Sequence, residues 1–155
     1  MRWIDPDLAR RAGLRRVDSL TGAEMVGRKG GDYSGIAIPY FHPGSDRVRD
    51  YRLRRDHPDM EYDGPGNLKV KQKYLSPPGR SNMLYLPPGV LQSFLRDPEL
   101  PVLITEGEFK TLALWRAANH GGRSQPRFLP LGVSGVYNWR ERLAKRLAPM
   151  VAVWM

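Results

Sequence analysis

Between residues 34 and 41 the apolar side chains Ile36, Ile38 and Tyr40 fall on every second position. After the turn-forming His42-Pro43-Gly44-Ser45-Asp46, residues 47–54 are again extended, with Tyr51 and Leu53 separated by one charge. Alternation of this kind turns one face of each segment towards a core, so the two segments predict a β-hairpin. Two more short strands are expected at residues 69–75 and 83–86, divided by the breaker Ser76-Pro77-Pro78-Gly79. Ahead of the hairpin the chain reads as two short helices. Asp5 or Asp7 caps the first, with Pro6 in its opening turn and Gly13 at its end; Thr21 and Glu24 stand at capping-box spacing before Met25 and Val26.

The texture changes after Pro87-Pro88. Residues 89–96 suit a helix burying Val90, Leu91, Phe94 and Leu95, and the apolar run Val102-Leu103-Ile104-Thr105 then feeds a helix over residues 108–119 carrying Leu112, Ala113, Leu114, Trp115 and Ala118. A second strand at residues 127–131, a glycine turn, a helix at residues 139–147 and a terminal apolar strand at residues 150–154 complete the pattern. Strand, helix, strand, helix, strand at this spacing predicts a parallel sheet with right-handed crossovers. The fold class is therefore α/β (α+β overall): a helical segment over residues 1–32, a small antiparallel β lobe over 33–87, and a parallel βαβαβ lobe over 88–155.

Composition narrows the function. Hydrophobic residues make up 41% and charged residues 26% of 155, which excludes wholesale disorder and a membrane channel. Lys plus Arg number 25 against 16 Asp plus Glu, a formal charge of +9, so polyanions are the natural partner class. The absence of Cys removes disulfides, thiolate nucleophiles and cysteine zinc sites, and His42, His57 and His120 stand too far apart for a histidine cluster. No secretory signal opens the chain and no apolar run approaches roughly 18 residues, so the expected compartment is the cytoplasm, without a membrane partner.

Ligands of parallel sheets gather at the C-terminal strand ends. Here the first strand ends in Thr105-Glu106-Gly107-Glu108 with Lys110 one turn into the helix, and the second ends in Gly132-Val133-Ser134-Gly135. Glu106 is a candidate general acid or base, and Glu106 with Glu108 a candidate oxygen pair for a divalent ion. Gly107, Lys110, Gly132, Ser134 and Gly135 form a candidate phosphate or nucleotide loop. The bland alternative is that Glu108 merely favours the helix N-terminus and Glu106 is solvated.

Basic residues interleaved with aromatics extend the picture. Residues 110–147 hold eight Lys or Arg (Lys110, Arg116, Arg123, Arg127, Arg140, Arg142, Lys145 and Arg146) and one acid, Glu141, with Tyr137 and Trp139 among them. Such a face can track phosphates and stack bases; equally, Trp139 can anchor a core and the arginines coat a solvated helix. The arginines at 47, 49, 52, 54 and 55 weigh less, because Asp46, Asp50, Asp56 and Asp59 stand ready to neutralise them.

The segments VLITEGEFKTLAL and FLPLGVSGVYNW resemble the first half of a Toprim domain, the catalytic module of topoisomerases and bacterial-type primases. The likeness is nearest to the Toprim-like domains of replication proteins carried by phages, plasmids and other mobile elements. There Ile38-Pro39-Tyr40, residues 51–54, residues 73–79 and residues 85–89 also have counterparts, so the resemblance covers residues 33–155. It implies that Glu106 is the Toprim glutamate acting in nucleotidyl transfer with Mg2+, Gly107 its companion, and Gly132 to Gly135 the glycine turn. It departs from the family at Lys110, where many primases carry an acid, and at the third strand, where Met155 stands before any Asp-x-Asp. The expectation is thus a truncated or split product, or a binding derivative. The function implied is a primase-related, Toprim-like DNA replication protein that binds single-stranded DNA or RNA and is catalytically incomplete alone, with weak Mg2+ binding. The alternatives are a metal-dependent nucleotidyl transferase or nuclease completed by another polypeptide or a second copy, and a protein-interaction module retaining the fold; a downstream replication polypeptide such as a helicase is a further expected partner.

Overall fold

A computed structural model describes residues 3–122, 124–135, 140–143 and 146–149, the last two stretches in backbone alone. Helix α1, Pro6–Arg11, starts where the sequence predicts: the Asp5 carboxylate accepts from the Leu8 amide at 2.7 Å, satisfying a donor that the helix itself leaves unpaired. A short strand β1, Arg15–Val17, follows in place of loop. Helix α2, Ser19–Val26, is capped three residues before the expected capping box, where the Asp18 side chain takes the Thr21 amide at 2.8 Å; Gly27, in the left-handed region, ends it.

Strands β2, Gly35–Phe41, and β3, Val48–Arg55, are the expected hairpin. Strand β4, Met60–Tyr62, is an addition, and it pairs antiparallel with β5, Leu68–Val70. The single strand expected at 69–75 is broken, since Gln72 adopts φ 48 and turns the chain between β5 and β6, Tyr74–Leu75. The main sheet runs β1-β2-β3-β6, and β1 pairs antiparallel with β2 and β6 with β3.

Helix α3, Gln92–Arg96, is shorter than expected and leaves Leu91 exposed while Val90 is buried. Strand β7, Val102–Glu106, leads through Gly107 into helix α4, Glu108–Ala118, and back to β8, Leu129–Val133, parallel to β7. The buried face of α4 is Glu108, Thr111, Leu112, Trp115 and Ala118, one stripe of helical period packed on β8 and β7. Tyr85, expected in the antiparallel lobe, instead bridges antiparallel to Gly132 on β8. Where the spacing predicts a helix over 139–147, strands β9, Arg140–Leu143, and β10, Arg146–Pro149, pair antiparallel. That segment offers only a thin apolar stripe to hold a helix. The expected strand at 150–154 lies outside the described residues.

The class is therefore mixed α and β, with an antiparallel sheet and a small parallel one. The chain divides into two compact units that interleave in sequence, unlike the contiguous segments expected. Unit 2, Gly13–Tyr40 and Val48–Arg80, centres on Val17, Val26, Tyr33, Ala37, Leu53 and Leu75. Unit 1, Met1–Ala12, Phe41–Arg47 and Ser81–Met155, contains the parallel pair and buries Leu8, Tyr85, Leu112 and Leu129. Among the described residues no helix is long and apolar enough to cross a membrane.

Candidate functional site

In unit 1 the parallel register sets Thr105 beside Gly132 and Glu106 beside Val133, so the carboxylate at the end of β7 and the start of the glycine turn after β8 share one edge. Gly107 makes the passage from strand to helix at φ 84, ψ 153, a backbone region open in practice only to glycine. Its amide donates to the Val133 carbonyl at 2.8 Å and is thus already engaged.

The two candidate carboxylates part company. The Glu106 side chain is half exposed, and Lys110, one turn along, brings its Nζ to 3.7 Å from Oε2. Glu108, by contrast, is only 1% exposed, at the first turn of α4 where the helix dipole favours negative charge. It lies near enough to Tyr85 to act on it. Burial, with the Glu108 charge adding to it, pushes the Tyr85 phenol well above its ordinary range. One carboxylate in solvent against a lysine and one in the core do not converge on a cation, and among the described residues no group of three or more His, Asp or Glu could hold a metal ion. These residues alone do not fit Mg2+.

The glycine turn is also more occupied than its sequence suggests. Tyr85 and Gly132 exchange backbone hydrogen bonds of 2.8 and 2.9 Å, and a Cβ at Gly132 would stand 2.5 Å from Thr111 Oγ1 and 3.1 Å from Tyr85 Cβ. The space that Gly132 vacates is filled by protein, leaving Ser134 and Gly135, both half-buried, as the accessible part of the turn. Thr111 and Tyr85, which sequence reasoning passed over, are thus structural partners of the strand end. The only signal for them was the small residue they pack on.

The basic candidates fall elsewhere. Arg116 lies eight residues beyond Glu108, about 12 Å along the helix at 1.5 Å per residue, at the far end of α4. There its Nε stands 3.4 Å from the Asp5 carboxylate and an Nη donates to the Trp3 carbonyl at 3.1 Å. Arg127 reaches the His120 carbonyl at 3.5 Å. Arg123, Tyr137, Trp139 and Lys145 lie outside the described residues, as do the side chains of Arg140, Arg142 and Arg146.

In unit 2 the hairpin arginines are partly neutralised, though not by the expected local pairing throughout. Arg55, its side chain 2% exposed, forks onto Asp59 with bonds of 2.9 and 3.1 Å and donates to the Asp32 carbonyl. Asp50 instead pairs with Arg80, and Asp56 with Arg16 at 2.8 Å. Arg52 lies over the Tyr74 ring, 5.0 Å from its centroid.

No protein-family model matches the chain, and neither a curated protein nor a solved structure matches it.

Proposed function

We propose that the chain is a nucleic-acid-binding replication protein related to the Toprim primases, acting in the cytoplasm and incomplete as a catalyst by itself. The observation that carries this reading is the β7–α4–β8 unit of a chain of charge +9, in which Glu106-Gly107 closes one parallel strand and the Gly132 turn closes its neighbour. Single-stranded DNA or RNA is the partner class, held by salt-sensitive contacts between arginines and phosphates. The test is titration of a labelled single strand across a range of salt. Affinity that falls steeply with salt supports the reading, and absence of binding at low salt rejects it.

A second reading, a nucleotidyl transferase or nuclease whose metal ligands come from another chain, is favoured by strand β7. Val102 is 56% exposed, Leu103 38% and Ile104 59%, although parallel strands are ordinarily covered on both faces. A downstream replication polypeptide that covers this strand and supplies carboxylates would complete both the sheet and a Mg2+ site. Co-purification of the two, with metal binding that Glu106→Ala abolishes, would favour this reading over the first.

A further inference from the structure

Trp3 is 72% exposed, although a tryptophan buries more apolar surface than any other side chain when it is given a place in a core. Its backbone also sits at φ 56, a left-handed conformation that costs a bulky residue and persists only where something holds it. The holder is Arg116, which donates to the Trp3 carbonyl at 3.1 Å while its Nε faces Asp5 at 3.4 Å. An exposed tryptophan whose backbone carbonyl is tied to a guanidinium thus stands at the C-terminal end of α4, and both residues line one hollow.

This platform borders a groove lying wholly within unit 1. A hollow of about 370 Å³ beside Trp3 shares Asp5 and Arg116 with an open cleft of about 650 Å³, whose apolar walls are Leu8, Pro88 and Trp115. Arg11 and His120 stand on the rim of the cleft, and Arg127 is tied to the His120 carbonyl. Arg11 makes no ion pair among the described residues. Asp5 and Asp46 are the opposing charges: Asp5 is engaged by Arg116 and the Leu8 amide, and Asp46 is a wall that repels phosphate and can accept from a base amino group or a ribose hydroxyl. An exposed aromatic face next to cations and an apolar cleft is the chemistry that holds a single strand, with a base stacked and phosphates neutralised.

We propose that the groove from Trp3 to Arg11 is a docking site for single-stranded nucleic acid, with a base stacked on the Trp3 indole and phosphates held by Arg11 and Arg116. The site rests on the nucleic-acid reading above, but it lies at the opposite end of α4 from Glu106 and is independent of any catalysis there.

The test uses the full chain and fluorescence anisotropy of short labelled oligo-dT and oligo-rU. Trp3→Ala should weaken binding about tenfold, the loss of one stacked base, while Trp3→Phe keeps most of the affinity. Arg11→Gln should make the salt slope shallower by roughly 0.7, one phosphate contact. Circular dichroism of the variants separates loss of the site from loss of the fold, and the tighter strand identifies the sugar. If Trp3→Ala and Arg11→Gln both bind as the parent does, the groove is overturned and the nucleic-acid reading stands. If the parent chain binds neither strand at low salt, both are overturned.

Discussion

Tyr85 and Gly132 bind each other through both backbone hydrogen bonds, so a residue that precedes the parallel pair by a whole helix becomes part of it. The contact is close enough that a side chain at Gly132 would collide, since a Cβ there would stand 2.5 Å from Thr111 Oγ1. Gly132→Ala should therefore lower the stability of unit 1 by about 1–3 kcal/mol through overpacking. Pairing it with Thr111→Ala should recover part of the loss, because the hydroxyl is the nearest obstacle. Urea denaturation of the single and double variants measures both, and an unchanged midpoint for Gly132→Ala would refute the packing argument.

The pH dependence of unit 2 should carry the mark of Arg55. Hydrogen bonds from Arg55 hold the Asp59 carboxyl below its ordinary range, so in acid the unfolded chain takes up its proton first. The stabilisation is present above the ordinary aspartate pKa of about 3.9 and is lost as pH falls through the depressed value in the fold. Asp59→Asn should flatten the fall of stability with pH below about 4. Acid titrations of the variant and the parent that superimpose would count against the pair.

Nucleic-acid affinity should respond unequally to the two basic regions. Replacing Arg140, Arg142, Lys145 and Arg146 with Ala is expected to weaken single-strand binding more than replacing Arg47, Arg49, Arg52 and Arg54. Only the second group sits amid several acids in sequence. For every phosphate that a variant no longer neutralises, the salt slope should become shallower by roughly 0.7. Equal weakening by the two sets would dismiss the C-terminal patch.

Catalysis by the 155-residue chain alone should be absent. Glu106 faces Lys110 rather than a second carboxylate, and Glu108 is withdrawn into the core. No primer synthesis or strand cleavage is expected with Mg2+ or Mn2+, since transfer of a phosphoryl group needs several oxygens around the ion. Metal-dependent activity of the purified chain that disappears in Glu106→Ala would promote the nucleotidyl-transferase reading.

The elements that could be read from the amino-acid sequence are those whose signals are local. Asp5 and Pro6 start α1 by capping chemistry between near neighbours, and Ile36, Ile38 and Tyr40 announce β2 by alternation. The run from Val102 to Glu106, followed by glycine and an amphipathic stretch, is enough to indicate β7 and α4, and with them the strand-end position of Glu106. Pairing partners decide the rest. Strand β1 carries one apolar residue and exists because its backbone meets β2, while β4 and β5 are exposed strands defined by each other. The burial of Glu108 follows from which side of α4 packs on the strands, while Glu106 ends β7 in half-exposed surroundings, and the contact of Trp3 with Arg116 spans 113 residues. Caps and periodicity act over one or two turns, whereas burial and long-range contact belong to whichever surfaces the folded chain brings together.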